Sequence, residues 1–197
     1  MLRKAVYPKV EARLNEIAKS LNEKGFTPNQ LTLSGLGFVF LTGWIYAAGH
    51  FFIAGWMLLL SSMTDLLDGP LARVSGKASS FGAFLDSTVD RYADFFIFGG
   101  LALYYARTGQ AGWLILTLGI IMGSYVTSYT KARAENFIKS CSVGVFERAE
   151  RVILFALGSI LTPLLPLAIW ILFIGTNATA IQRILFTKKT LTENKFD

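Results

Sequence analysis

Five of the six aspartates in the chain lie close together, at positions 65, 68, 86, 90 and 94. The flanking sequence is strongly apolar, with GWMLLLSSMT before them and FFIFGGLALYY after them. A carboxylate at membrane depth costs roughly a few kcal/mol unless it is paired, hydrated or metal-bound, and five neighbouring carboxylates would also repel one another. A divalent cation removes both difficulties, so this segment predicts a metal site at the edge of a membrane.

The spacing of four of these carboxylates predicts one shared site. Asp65 and Asp68 are three residues apart near the end of one apolar segment, and Asp86 and Asp90 are four apart near the start of the next. On helices each pair would share one face, so the pairs can face each other across a helical hairpin. Oxygen-only ligands suit a hard cation. We therefore expect Mg²⁺ on these four residues, with Mn²⁺ as a substitute, and a phosphate-bearing substrate.

These aspartates belong to a longer motif, Asp65-x2-Asp68-Gly69-x2-Ala72-Arg73-x8-Gly82-x3-Asp86-x3-Asp90. On this motif the chain resembles the CDP-alcohol phosphatidyltransferase family, whose signature it matches without departure. The motif fixes eight residues in one frame over 26 positions, so a match by chance is highly improbable. The resemblance implies a fold of six transmembrane helices over nearly the whole chain, and an enzyme of the prokaryotic cell membrane.

The resemblance also implies a reaction, in which the hydroxyl of an alcohol attacks the β-phosphate of a CDP-linked lipid and CMP leaves. Metal held by Asp65, Asp68 and Asp86 would bridge the diphosphate. Asp90 is the expected general base, with or without a contact to the metal. The residues expected to bind the CDP-lipid are Asn29, Thr32, Asp68, Gly69, Ala72, Arg73 and Gly82.

Two further charged residues, one inside the motif and one beyond it, have less defined roles. Arg73 is expected to donate to phosphate, and it is the only residue expected to neutralise the converging acids. Asp94 lies outside the motif, and two roles are equally compatible with its position. It would either orient a residue of the site or pair with Arg91.

Polar and basic residues near the predicted cytoplasmic ends of the later spans indicate the acceptor alcohol. They are Ser128, Lys131, Arg133, Arg148, Arg151 and Arg183. The segments SYTKARAE and ERAER are similar to those of the phosphatidylinositol-phosphate and archaetidylinositol-phosphate synthases of the same family, although Ala149 replaces a proline. This similarity implies an inositol-phosphate site formed by Ser128, Lys131, Arg151 and Arg183. The expected lipid donor is CDP-diacylglycerol or CDP-archaeol.

Other functions stay open at this point. Cations from three spans at one depth would repel one another without an anion, which favours a phosphorylated acceptor. Glycerol 3-phosphate, as in phosphatidylglycerophosphate synthesis, is the alternative acceptor, and the basic residues also fit membrane topology alone. From another class, the acids fit a transporter or a structural cation site, but neither requires the Gly, Ala and Arg spacing of the motif.

The composition is that of a membrane protein. The chain has 197 residues, enough for one domain, of which 53% are hydrophobic, and its mean hydropathy is +0.48. In such a protein the net charge of +6 favours anionic lipid or phosphate partners and not nucleic acid. One cysteine, Cys141, excludes an intrachain disulfide.

The first 25 residues predict an amphipathic helix that lies on the membrane surface. Their apolar residues recur at helical spacing, at Val6, Val10, Leu14, Ile17 and Leu21. A soluble helix packed on the rest of the chain is the alternative. We expect residues 1–25 to form this helix, residues 26–190 the six-helix catalytic domain and residues 191–197 a cytoplasmic tail.

Charge distribution predicts the number of spans. Four apolar segments are expected at Leu31–Ala48 with Asn29 as cap, Phe51–Leu71, Ser80–Ala106 and Gly112–Phe137. The run Val152–Ile174 is one span or, if it breaks at Pro163 and Pro166, parts of two, with Leu167–Phe186 the last. The positive-inside rule favours the break, because both termini and the active site then face the cytoplasm and only Arg107 lies outside.

A small-residue motif, Gly119-x3-Gly123, lies in the fourth predicted span. Such motifs allow two helices to approach closely. Packing within the chain and a dimer interface are both compatible with it, and we expect a homodimer.

Overall fold

A computed structural model describes residues 2–193 of the chain, with only the backbone described for residues 2–11. Over this range the protein is all-α, as predicted, with seven α-helices, one short 3-10 helix and no strand. The α-helices are α1 Leu2–Glu23, α2 Pro28–Ala47, α3 Phe51–Val74, α4 Ser80–Arg107, α5 Ala111–Ala134, α6 Arg148–Ile160 and α7 Leu165–Glu193. The side chains of Val6 and Val10, and residues 194–197 of the expected tail, lie outside the described residues.

Turn and cap residues set the boundaries of the helices around the aspartates. Gly25 has a φ of 82°, a left-handed conformation that ends α1. Thr27 caps α2 through a capping box with Gln30, and Pro28 is in the first turn. The expectation that Asn29 caps this helix is therefore wrong by two residues, and its side chain is not needed for the helix end. Ser79 caps α4 by accepting from the backbone N–H of Gly82.

The break predicted near the two late prolines is present in the structure. α6 ends at Ile160, a 3-10 helix covers Thr162–Leu164, and α7 begins at Leu165. A proline ring has no N–H to donate and clashes with the preceding turn, so two prolines within four residues interrupt a continuous helix. α6 and α7 pack against each other, which brings Arg183 of α7 to Glu147, the residue before α6.

Four stretches of the described residues are long and apolar enough to cross a membrane, namely Pro28–Ala47, Phe51–Val74, Ala111–Ala134 and Thr162–Glu193. Large apolar side chains are exposed along the helices, including Phe38, Trp44, Phe52, Ile115 and Leu167. They suit contact with lipid. Two of the six predicted spans do not qualify, because α4 carries four charged residues between positions 86 and 94 and α6 has only 13 residues. The count of six spans stays a prediction.

The core holds α4 between α2 and α5, with α3 and α6 packed together beside them. Gly43 of α2 and Gly100 of α4 approach so closely that a Cβ atom on either would collide with the other helix's backbone. Tyr46 stacks on Phe155 at 4.9 Å between ring centroids, and its hydroxyl donates to Ser159 over 2.8 Å. These contacts fix α2, α4 and α6 relative to one another, and so fix the ends that carry the charged residues.

Two further contacts bear on the sequence predictions. Gly119 and Gly123 of α5 pack against Phe173 and Thr176 of α7 in the same chain, so packing within the chain accounts for the small-residue motif. The homodimer stays a prediction without support from this motif. α1 packs against α3, and Ala18 of α1 is buried beside Leu71. Its position at a membrane surface also stays a prediction.

Candidate active site

The predicted metal ligands come from the end of α3 and the start of α4, which the loop 75–79 joins. The hydroxyl of Thr32 donates to Asp68 Oδ2 over 3.1 Å. Asp68 and Asp86 line the same cavity, and Asp86 also lies near the charge of Asp65. The two helices therefore bring these carboxylates to one region of the molecule.

The other two carboxylates share an arginine that the sequence did not assign to them. Arg148, the first residue of α6, places its Nη1 atom 2.6 Å from Asp65 Oδ2 and 3.0 Å from Asp90 Oδ1. Arg91 Nη2 lies 3.5 Å from Asp90 Oδ2. The expectation that Arg73 alone neutralises the acids is therefore wrong, because two more guanidinium groups contact them.

The aspartates fit a divalent cation by their chemistry. They offer only oxygen ligands, and their four negative charges exceed the two positive charges of Arg91 and Arg148 that contact them. As the side chains stand, however, no three carboxylate, histidine or cysteine groups among residues 2–193 surround a common metal position. The assignment of Asp65, Asp68, Asp86 and Asp90 as metal ligands stays a prediction.

A cavity of about 260 Å³ opens between the start of α2 and the α3–α4 hairpin. Six of the seven residues predicted to bind the CDP-lipid line it, namely Asn29, Thr32, Asp68, Gly69, Ala72 and Gly82. Arg73, the seventh, is not in its wall, whereas Lys77 and Ser79 are. A Cβ atom on Gly82 would lie 3.2 Å from Ser79 Oγ and 3.8 Å from Asn29 Oδ1. A larger residue at this position would therefore narrow the cavity, which we call the hairpin cavity.

A larger cavity, of about 690 Å³, is lined by residues of α4, α5, α6 and α7. It brings together all four residues predicted to bind the acceptor, although they come from three helices: Ser128, Lys131, Arg151 and Arg183. Arg91 and Arg148 also line it, and so do Glu135 and Glu147. Arg133 does not, since its guanidinium lies over the ring of Phe137 at 4.8 Å. We call this the basic cavity.

Arg151 is tied to a buried carboxylate at the bottom of the basic cavity. Its Nη2 atom donates to Asp94 Oδ2 over 2.8 Å, and the two side chains are 2% and 1% exposed. Arg151 Nη1 also donates to the carbonyl of Phe146. The contacts thus support the first of the two roles considered for Asp94, orienting a site residue, and the ion-pair partners of Asp94 are Arg151 and, at 3.7 Å, Arg148.

The other two cations share Glu147. Arg183 Nη2 donates to Glu147 Oε1 over 3.2 Å, and Lys131 Nζ lies 3.8 Å from the same oxygen. Arg183 also donates to the carbonyls of Thr127 and Val143. The premise that these cations lack an anion between them is therefore wrong. Glu147 and Asp94 supply negative charge, so repulsion alone does not demand a phosphate in this cavity.

Sequence reasoning missed the roles of Glu147 and Arg148, although both stand in the ERAER segment. Arg148 and Arg151 are three residues apart, so a helix beginning at Arg148 places them on one face. That spacing shows that the two arginines point the same way. It does not show that the face meets Asp65, because this depends on how α6 packs against α3.

Comparison with known proteins agrees with the motif. The family model described as CDP-alcohol phosphatidyltransferase matches residues 26–183. The chain is 38% identical over 187 residues to the archaetidylinositol phosphate synthase of Pyrococcus horikoshii, covering 94% of this chain and 96% of the relative. It is also 38% identical over 194 residues to the phosphatidylinositol phosphate synthase of Streptomyces avermitilis, covering 91% and 80%.

Solved structures of similar proteins have the same fold. The phosphatidylinositol phosphate synthase of Mycobacterium tuberculosis with CDP-DAG bound superimposes with a TM-score of 0.82 at 30% identity, covering 88% of this chain and 92% of that one. The same enzyme in complex with manganese and citrate gives a TM-score of 0.83, covering 88% of each chain.

Proposed function

We propose that this chain, which belongs to the CDP-alcohol phosphatidyltransferase family, transfers the lipid phosphoryl group of a CDP-linked lipid to inositol phosphate and releases CMP. The family membership confirms the predicted class of enzyme and removes the transporter hypothesis. The observation that carries the acceptor is the basic cavity, where Ser128, Lys131, Arg151 and Arg183 lie together beside the carboxylates. The relatives named archaetidylinositol phosphate synthase and phosphatidylinositol phosphate synthase support the same acceptor.

The hairpin cavity is the proposed site of the CDP group. Gly69 has open space where a Cβ atom would lie, and Ala72 is small, so the nucleotide can approach the backbone of α3. Asp68 and Asp86 stand in the wall of this cavity. Arg73 is proposed to reach phosphate from outside the wall. The relative with CDP-DAG bound supports a CDP-linked lipid as the donor, and both CDP-diacylglycerol and CDP-archaeol fit the proposal.

The proposed chemistry is a direct displacement at the β-phosphate. A hydroxyl of the acceptor forms a bond to the β-phosphorus, the bond from that phosphorus to the CMP oxygen breaks, and Asp90 accepts the hydroxyl proton. Asp65, Asp68, Asp86 and Asp90 would hold Mg²⁺ or Mn²⁺, which when bound supplies charge neutralisation at the diphosphate. Arg91 would orient the Asp90 carboxylate before it takes the proton. Arg148 contacts the same carboxylate in the structure.

The cations of the basic cavity favour an acceptor that carries a phosphate. Lys131 and Arg183 face Glu147, and an acceptor phosphate offers these cations three oxygens in place of one carboxylate. Ser128 lines the same cavity, within reach of the acceptor. Charge-assisted contacts to a phosphate are worth about 1.5–3 kcal/mol each, enough to distinguish a phosphate ester from a free alcohol.

The membrane arrangement is part of the proposal. Six spans, with α4 and α6 packed among the four apolar helices, would place both termini and both cavities on the cytoplasmic side. α1 would lie at that membrane surface, and two chains would form a homodimer. Reporter fusions after Lys189 should therefore report a cytoplasmic location. External reporter activity would refute this topology.

An acceptor panel tests the function. Purified protein in detergent with Mg²⁺ and CDP-diacylglycerol or CDP-archaeol is expected to release CMP with inositol 1-phosphate, and EDTA should stop the release. Glycerol 3-phosphate, unphosphorylated inositol and serine are the comparison acceptors. Equal rates with free inositol would show that the basic cavity does not recognise phosphate, and a preference for glycerol 3-phosphate would replace the acceptor.

A further inference from the structure

Arg148 links the two helices that carry the predicted metal ligands. Its Nη1 atom contacts Asp65 of α3 at 2.6 Å and Asp90 of α4 at 3.0 Å. Its Nε atom lies 3.7 Å from Asp94 Oδ1, and this Nε has no hydrogen-bond partner within the described part of the chain. The guanidinium thus neutralises the acids while one of its donors remains unused.

The same side chain lines the basic cavity beside Lys131, Arg151 and Arg183. It is 20% exposed, in contrast to the two arginines deeper in the cavity. Arginine has a long flexible stem and five N–H donors, arranged to meet carboxylate or phosphate oxygens equally well. Arg148 therefore has two kinds of partner within reach, carboxylates on one side and an acceptor phosphate on the other.

A divalent cation and this guanidinium compete for the same carboxylates. Mg²⁺ binds oxygen at about 2.0–2.1 Å, so a cation on Asp65 and Asp90 would stand within a few ångströms of Arg148. Positive charges at that separation repel strongly where water is scarce. The arginine must then leave its position on Asp65 and find another anion.

We propose that Arg148 is a shared counter-ion, which holds Asp65 and Asp90 and moves to the phosphate of the acceptor when a divalent cation binds these carboxylates. This inference rests on the metal site and the acceptor site proposed above. Metal and phosphorylated acceptor then strengthen each other's binding. The metal releases Arg148 from the carboxylates for the acceptor phosphate, and an acceptor phosphate that draws Arg148 away frees the carboxylates for the metal. By linkage the coupling is the same in both directions.

Mn²⁺ binding measures this coupling without any turnover. Electron paramagnetic resonance titrations of the full chain in detergent would compare wild type with Arg148→Gln, using sodium sulfate as a phosphate-like anion and sodium chloride at matched ionic strength. Arg148→Gln should bind Mn²⁺ about tenfold more tightly in chloride, since the competing cation is gone. Sulfate should strengthen Mn²⁺ binding to wild type about fivefold or more and leave Arg148→Gln unaffected.

Arg133→Gln is the matched control, since it removes one positive charge from the end of α5 while touching none of the carboxylates. It should keep both the Mn²⁺ affinity and the sulfate effect of wild type. A sulfate effect that persists in Arg148→Gln, or an unchanged Mn²⁺ affinity in that variant, would overturn the inference. If Arg148→Gln does not fold, wild type decides, because the absence of a sulfate effect on its Mn²⁺ affinity overturns the inference.

Failure of the proposed metal site has a different signature. In that case wild type, Arg133→Gln and Arg148→Gln would all fail to bind Mn²⁺, which refutes the metal site and the counter-ion role together. Normal Mn²⁺ binding in all three, with no dependence on residue 148 or on sulfate, refutes only the role of Arg148.

Discussion

The hairpin cavity and the basic cavity are both lined by α4, yet their side chains would hold phosphate by different means. The hairpin cavity is about 260 Å³ and has Asp68 and Asp86 in its wall with Lys77 as its basic residue. The basic cavity is about 690 Å³, and five basic side chains outnumber the two acidic ones in its wall: Arg91, Lys131, Arg148, Arg151 and Arg183. In the proposed function, a diphosphate in the first cavity would depend on a metal ion, whereas a phosphate in the second would be held by side chains alone.

The two cavities also differ in how the chain builds them. The hairpin cavity comes from residues 28–32 and 68–86, which form the start of one helix and a single helical hairpin. The basic cavity needs α4, α5, α6 and α7 together. Changes at the hairpin cavity should therefore act on metal and nucleotide, and changes at the basic cavity should act on the acceptor or on the packing of the helices.

The largest expected effect is at Asp68. Asp68→Asn should abolish both Mn²⁺ binding and CMP release, because it removes a charge from the carboxylates that face the diphosphate. Binding is measured by paramagnetic resonance and activity by CMP release. The control Thr32→Val removes only the hydroxyl that donates to Asp68, so its rate should fall by about fivefold. Full activity of Asp68→Asn would end the claim that the hairpin cavity relies on metal.

Substitution of Arg151 should lower the stability of the fold more than it weakens binding of the acceptor. Arg151→Gln leaves Asp94 charged, buried and without its closest partner, a situation that typically costs about 3–5 kcal/mol. Thermal unfolding in detergent, followed by tryptophan fluorescence, should show a clear loss. A variant as stable as wild type, with a raised KM for inositol phosphate, would instead make Arg151 a simple ligand like the exposed residues of the basic cavity.

The next expected effect concerns Asp90, the proposed general base between the two proposed substrate sites. Asp90→Asn should still bind CDP-lipid in the presence of metal, but its kcat should fall by about 10²-fold or more, the usual scale for a lost general base. Single-turnover release of CMP separates this chemical step from binding. A nearly normal kcat would show that Asp90 is a ligand or a structural partner of Arg148.

Lys131 should have a smaller and more selective effect. Its side chain is 40% exposed, so Lys131→Gln should leave the fold intact and raise KM for inositol phosphate by about tenfold. KM for the CDP-lipid should not change, since Lys131 lies in the basic cavity alone. Equal changes in both KM values would mean that the two cavities do not act separately.

The carboxylate pairs beside the hairpin cavity were predictable because they follow helical periodicity over short distances, whereas the other residues of its wall were implied by the family resemblance. Asp65 and Asp68, or Asp86 and Asp90, share a face whenever the segment is helical, and glycine at 76 with a φ of 65° marks the turn between them. The break before α7 was predictable for a similar local reason, the two prolines. Asn29 was misassigned as a cap because Thr27 forms the better capping box.

The contacts of the basic cavity were not predictable to the same extent. The four acceptor residues were identified by resemblance, but their counter-charges depend on the packing of α6 against α3 and on the loop 135–147. Arg148 meets Asp65 across 83 positions in the chain, and helical periodicity carries no information over that distance. The same holds for Glu147, which lies 36 positions from Arg183.

The shortness of α6 has a consequence for the surrounding bilayer. Its 13 residues rise about 20 Å, whereas the hydrocarbon core of a membrane is about 30 Å thick. In the proposed six-span topology, with the far end of α6 at the opposite surface, the guanidinium groups of its first turn would lie some 10 Å beneath the headgroups by the same arithmetic. The bilayer would then have to thin at that point, or water would have to reach these groups. The thickness of the bilayer would thus affect how a water-soluble substrate reaches the site, and lipids with longer acyl chains should make that access harder.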